Sequence, residues 1–149
     1  MKKILIATLI GLAATSASAL EFGVSTTRDY SGDNRNGFGI FVGDRSGRGA
    51  VQFGVEQFTR GTNDQNRFSV MGSYDVTKLG PVTVSGKGGV AFLDNQTSQD
   101  GAAAVVGVGA SLPISKALSL NLDVSRQYGQ KRVEQFDGTL VSTSLKVSF

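Results

Sequence analysis

The chain has 149 residues, 40% of them hydrophobic and 18% charged, with 20 Gly, 2 Pro and no Cys, His or Trp. That length suits one domain, and the charge content excludes a disordered acidic or basic tail. Formal net charge is +3, but setting aside Lys2 and Lys3 leaves 13 basic residues against 12 acidic ones, so no basic stripe points to nucleic acid.

The first stretch, "MKKILIATLIGLAATSASA", has a basic head (Lys2, Lys3), an apolar run from Ile4 to Leu12 and a small-residue end at Ala17-Ser18-Ala19. This is the layout of a secretory signal peptide over residues 1–19, cut after Ala19. Its apolar run is shorter than the ~20 residues a helix needs to span a bilayer. With no Cys, neither a lipidated thiol nor a disulfide is available to the exported chain. The remaining residues, 20–149, are expected to form a single barrel domain.

From Leu20 onward no run of ten residues keeps a helical period, and alternating segments recur between turn-rich punctuation. In chain order the apolar sides are Leu20 to Thr26; Phe38, Ile40, Val42; Val51, Phe53, Val55; and Phe68 to Val76. Then come Val82, Val84, Val90, Phe92; Ala104 to Leu112; Leu118 to Val124; and Val141 to Phe149. Eight short strands without helices predict an all-β antiparallel meander. The links "YSGDNRN", "RGTNDQN", "DNQTSQDG" and "GQKRVEQFDG" are longer and polar, while "GDRSGR", "TKLGP" and "PISKA" are tighter. Pro81 and Pro113 fall at strand junctions, where a missing N–H is harmless. Tight links at one end and longer ones at the other match a membrane barrel, and an even strand number puts both termini at the tight-link end.

Alternation does not say which face points outward; the composition of the polar stripe does. It is mostly Gly, Ser, Thr and Ala, as in Gly23, Ser25, Gly39, Ser69, Ser85, Gly107 and Ser144. A soluble protein's outer face is rich in long charged side chains, whereas small ones suit the lumen of a narrow eight-stranded barrel. The apolar stripe is nearly free of charge through its middle. Its exceptions, Arg28 and Arg126, sit at strand ends, where an arginine can reach the interface. Tyr30, Phe38, Phe68, Phe92 and Tyr128 map to the long-link end and Phe22, Tyr74 and Phe149 to the tight end, as two aromatic girdles would. The expected fold is therefore an eight-stranded antiparallel up-and-down transmembrane β-barrel, apolar side out.

With its signal-like start, these stripes and the closing "STSLKVSF", the chain resembles the small Gram-negative outer-membrane β-barrels of the OmpA/OmpX-like group. "LGPVTVSGKGGVAFL" is also similar to small porin-like and YfaZ-like barrels. The resemblance covers Leu20 to Phe149 and implies a cell outer membrane location. It implies that Leu145, Val147 and Phe149 form the C-terminal signal read by the outer-membrane assembly machinery, although the glycine frequent in that signal is absent. It further implies contact with outer-membrane lipid and lipopolysaccharide.

The charges on the inner stripe are Glu21, Glu56, Asp75, Lys87, Asp123 and Lys146. A lone charge in a narrow lumen is costly unless paired, so Glu56, Asp75, Lys87, Asp123 and Lys146 are expected to form an interior charge network. No His is present to act as the usual general base, and oxygen is the only available metal-ligand type. "SGDNRNG" and "TNDQN" read as turn chemistry, and "GKGG" precedes no helix that would make it a phosphate loop. No catalytic residue, cofactor or metal is expected. In the last long link Lys131, Arg132 and Phe136 are candidate contacts for lipid phosphate or a surface ligand. The expected function is a non-enzymatic outer-membrane barrel with a packed polar interior and a structural or surface-interaction role. The alternatives are a narrow pore for ions or small solutes, and a soluble lipocalin-like binder.

Overall fold

The alternation resolves into eight strands: β1 (Ala19–Asp29), β2 (Arg35–Ser46), β3 (Gly49–Arg60), β4 (Asn63–Leu79), β5 (Val82–Asn95), β6 (Gly101–Pro113), β7 (Leu118–Gly129) and β8 (Gly138–Ser148). The computed structural model describes residues 19–30, 34–60, 63–95, 101–129 and 137–149; the expected signal segment 1–19 lies outside them except for Ala19, which begins β1. Each strand pairs antiparallel with the next, and β1 pairs with β8, so the sheet closes as the expected up-and-down barrel.

Closure fixes the chain's last residues. Leu145 lies between Val24 of β1 and Leu120 of β7, and Val147 between Phe22 and Leu118. Beyond β8, the Phe149 N–H donates to the Leu20 carbonyl at 3.0 Å, and the Ser148 N–H to the Ala117 carbonyl at 2.8 Å. The terminus is held on both sides, which leaves no frayed edge.

Side chains sort by parity. Phe22, Phe38, Val51, Val70, Val108, Leu122 and Leu145 are exposed on the outer wall. Glu21, Ser25, Ser85, Asn121, Ser144 and Lys146 are buried in the lumen. A soluble barrel would place these two sets the other way round.

The strands run further than the apolar stripe suggested. β2 includes most of "GDRSGR", and β4 continues through Leu79, turning at Gly47 and Gly80. Those two glycines have φ of +58° and +60°, a left-handed conformation that side chains disfavour and tight hairpins require. "RGTNDQN" is the clearest departure from a long polar loop: Arg60 ends β3 and Asn63 begins β4, so most of it is strand. A β-ladder needs only backbone pairing, so polar residues prolong it where the outer wall no longer has to be apolar.

Among the described residues one irregularity interrupts the ladders: the β4–β5 register slips between Asp75 and Thr77, leaving Val76 as the extra residue. Arg48, in the neighbouring turn, caps this bulge. Its Nε donates to the Asp75 carbonyl at 2.8 Å, its Nη2 to the Val76 carbonyl at 2.7 Å, and its guanidinium lies over the Tyr74 ring. The bulge frees carbonyls that would otherwise go unpaired, and one arginine takes both.

Inner glycines make room for large inner neighbours. A Cβ on Gly37 would strike the Phe58 ring, and one on Gly23 the Phe41 ring. At Gly107 it would meet backbone, the Val124 carbonyl oxygen at 2.5 Å, whereas the outward Gly88 has only a 3.8 Å contact. Gly107→Val is expected to destabilise the barrel by about 2 kcal/mol through overpacking. Gly88→Val should stay within about 0.5 kcal/mol. Urea unfolding of both variants in lipid vesicles checks the contrast.

Candidate functional site

The lumen holds two polar clusters, each built by side chains crossing a strand that carries glycine. In the first, Glu21 of β1 is fully buried. Its Oε1 accepts from Lys146 Nζ of β8 at 2.8 Å and from Arg45 Nε of β2 at 2.7 Å, while Oε2 accepts from Gln52 Nε2 of β3 at 3.2 Å. Arg45 Nη1 reaches on to Asp75 Oδ2 of β4 at 2.8 Å. One charged chain thus joins five consecutive strands.

Lys87 and Asp123 complete the ring of charge. They lie on β5 and β7, with β6 between them, and β6 carries Gly109 at the crossing point. A Cβ there would meet the Asp123 carboxylate and stand 2.9 Å from Lys87 Cε. Without it, Lys87 Nζ comes within 2.6 Å of Asp123 Oδ1. That oxygen has no hydrogen bond of acceptable angle, so the contact is an ion pair by distance. Three cations (Arg45, Lys87, Lys146) balance three carboxylates (Glu21, Asp75, Asp123) at this level.

The second cluster lies closer to the long-link end. Glu56 of β3 accepts from Arg67 Nη1 of β4 and, across β2, from Thr27 Oγ1 of β1 at 2.6 Å. Thr27 in turn shares a 2.7 Å hydrogen bond with Ser142 of β8. The strand being crossed carries Gly39, whose Cβ would collide with Glu56 Cγ. Arg35 Nη1 donates to Gln65 Oε1 at 2.6 Å nearby.

Beside and beyond this cluster apolar side chains join the buried polar ones of Asp29, Gln65 and Gln127. Phe58, Leu93, Ala103, Val105 and Leu140 all point inward and are at most 3% exposed. Below them lies a cavity of about 330 Å³, lined by both polar clusters and reaching the tight-turn end, where Ser115, Lys116 and Ala117 form its rim. The lumen is thus polar toward one mouth, while toward the other Phe58, Leu93 and Leu140 pack among the buried polar side chains of Asp29, Gln65 and Gln127.

All five residues of the expected charge network face the lumen, as three groups rather than one. Lys87 meets Asp123 directly; Asp75 and Lys146 are linked only through Arg45 and Glu21; Glu56 stands apart with Arg67. Arg45 is passed over in the sequence because it falls in "GDRSGR", read as a link, and Arg67 because it lies between the link "RGTNDQN" and the strand read from Phe68. Parity would have found them: Arg45 follows Gly43 by two residues and Arg67 precedes Ser69 by two, on the same inner stripe. Phe41 and Phe58 escaped for another reason, since an aromatic residue reads as an outer-wall residue until its neighbouring glycine is known. Lys131, Arg132 and Phe136 lie outside the described residues.

The charges are mutually neutralised, and among the described residues no three His, Cys, Asp or Glu side chains group as metal ligands would. The arrangement can hold strands together and fill a lumen. Removing one member of a buried pair strands its partners, at about 3–5 kcal/mol. Glu21→Gln, which leaves Lys146 and Arg45 short of an anion, is therefore expected to destabilise by that order. Asp123→Asn should cost less, because Lys87 and Asp123 are partly solvated, at 17% and 19% side-chain exposure. Denaturant titration of the two variants, scored by their difference, tests the ranking.

No protein-family model and no curated protein matches this sequence. Solved structures do match in shape. The N-terminal β-barrel domain of Pseudomonas aeruginosa OprF is 14% identical with a TM-score of 0.72, the match covering 88% of this chain and 97% of that one. Neisserial surface protein A is 15% identical with a TM-score of 0.68, covering 90% and 98%. A de novo designed transmembrane β-barrel is 14% identical with a TM-score of 0.61, covering 91% and 98%. At such identities the likeness speaks for the fold, that of the small eight-stranded outer-membrane barrels. A design matching nearly as well as a natural protein makes the same point.

Proposed function

We propose that this chain is an exported, non-enzymatic barrel of the cell outer membrane that acts through its wall and its outer links, with a closed lumen. The observation that carries this reading is the inverted sorting of side chains. The outer wall presents Phe, Val, Leu and Ile, while Glu21, Lys146, Glu56 and Arg67 are buried within. In hydrocarbon every backbone donor and acceptor needs a partner, and a closed sheet supplies them all. Strands of 11 to 17 residues meet or exceed the ~9–11 that a tilted membrane strand requires. Residues 1–19 serve as the export signal, and Leu145, Val147 and Phe149 as the C-terminal strand read during assembly, by resemblance. The long-link end faces outward, where Lys131, Arg132 and Phe136 contact lipopolysaccharide or a surface ligand.

Against the narrow-pore alternative weighs the filling of the long-link end by buried side chains, Phe58, Leu93 and Leu140 among Arg67, Gln65 and Gln127, which leaves little room for the water a conducting path needs. Against a lipocalin-like soluble binder weighs the number of large apolar side chains on the outer wall. Cell fractionation should recover the protein in outer membranes, migrating faster on gels before boiling than after. The purified protein should give no steady single-channel steps in planar bilayers. Recovery as a monodisperse aqueous species refutes the membrane reading, and steady conductance refutes the closed lumen.

A further inference from the structure

On the outer wall at the long-link end, two arginines stack on tyrosines on either side of β8. Arg28 lies over the Tyr30 ring at 5.3 Å on β1, and Arg126 over the Tyr128 ring at 5.6 Å on β7. Both are i, i+2 pairs, the spacing that returns a strand to the same face. Registration places them at nearly the same height. Arg28 pairs with Val141 and Arg126 with Thr139, and the Tyr30 N–H donates to the Thr139 carbonyl at 2.8 Å. The floor between the two stacks is therefore Thr139 and Val141, short side chains on the outer face of β8.

These arginines differ from the other outward-facing one whose contacts are described, Arg48, which is committed to backbone carbonyls at the tight-turn end. Among the described residues no carboxylate forms an ion pair with Arg28 or Arg126. Asp137, which precedes Thr139 by two residues, accepts a hydrogen bond from the Gly129 N–H instead. A guanidinium on a ring face keeps its N–H edges for another partner. Two strand spacings of about 4.8 Å, with a two-residue offset along β8, set the arginine Cα atoms roughly 12 Å apart. Fixed cations at that distance suit two phosphates held apart by a sugar-sized spacer better than a single phosphate.

We infer that Arg28–Tyr30 and Arg126–Tyr128 form a clamp across β8 for a lipid whose sugar headgroup carries two phosphates, each arginine taking one phosphate and Thr139 facing the sugar between them. This inference rests on the membrane placement proposed above. It adds a lipid contact on the wall to the one proposed for Lys131, Arg132 and Phe136. The tyrosines hold the arginines in place and touch the headgroup's edges.

The test titrates folded protein in neutral detergent micelles with diphosphoryl lipid A, monophosphoryl lipid A and phosphatidylglycerol, read by native mass spectrometry. Diphosphoryl lipid A should bind the wild-type protein about tenfold more tightly than either competitor, as loss of a charge-assisted contact implies. Arg28→Gln with Arg126→Gln should remove that preference, while Lys116→Gln, at the opposite mouth, should leave it within about twofold. Equal binding of all three lipids by the wild-type protein overturns the clamp without any variant. So does a double variant that keeps the preference, or a Lys116→Gln variant that loses it. Vesicle insertion and heat-modifiable migration of each protein run alongside. A wild-type protein that does not insert overturns the membrane reading together with the clamp, whereas normal insertion without lipid preference overturns the clamp alone.

Discussion

The β1–β8 pairing is the constraint on which the rest depends. Until Val24 meets Leu145 and Glu21 approaches Lys146, the sheet has two open edges and its inner face has no enclosed volume to fill. Joining residues so distant in the chain is entropically slow and is rewarded only once the ladder forms. The Lys146–Glu21 ion pair crosses this seam at 2.8 Å, and the Thr27–Ser142 hydrogen bond crosses it nearer the other end. A side-chain contact therefore accompanies the backbone ladder at two heights along the closure.

Within the closed wall, glycine decides which side chains meet. Adjacent strands lie about 4.8 Å apart, so a residue reaches the second strand over when the intervening position is empty or small. Gly109 allows Lys87 to contact Asp123, and Gly39 allows Glu56 to contact Thr27. Gly23 and Gly37 do the same for the rings of Phe41 and Phe58. The lumen is thereby filled by a few long side chains lying flat over gaps; the Lys87–Asp123 ion pair depends on a residue with no side chain, whereas Arg45 reaches Asp75 past Ala50.

The two ends of the lumen differ in physical character. Toward the tight turns, six charges in a shared cavity balance one another. Toward the longer links, Phe58, Leu93 and Leu140 exclude water and lower the local dielectric around Glu56 and Arg67. Such an environment strengthens the Glu56–Arg67 attraction while raising the cost of separating the pair. One half holds an open polar cavity and the other is filled by rings and aliphatic chains packed among polar groups, a division that neither stripe's average composition expresses.

Much of this was legible in the sequence because a β-strand has an exact period of two. Parity alone put Glu21, Glu56, Asp75, Lys87, Asp123 and Lys146 on one side and Phe22, Val70, Leu122 and Leu145 on the other. The small residues of the first side named it as the lumen. Strand ends were less legible, since backbone pairing continues through polar stretches such as "RGTNDQN" that carry no apolar signal. The pairs themselves were beyond the sequence. That Lys146 chooses Glu21, or that Lys87 passes over β6 to Asp123, follows from the stagger of neighbouring strands and the positions of facing glycines. Those relations exist only after the sheet has closed, because register is a property of two strands together and periodicity is a property of one.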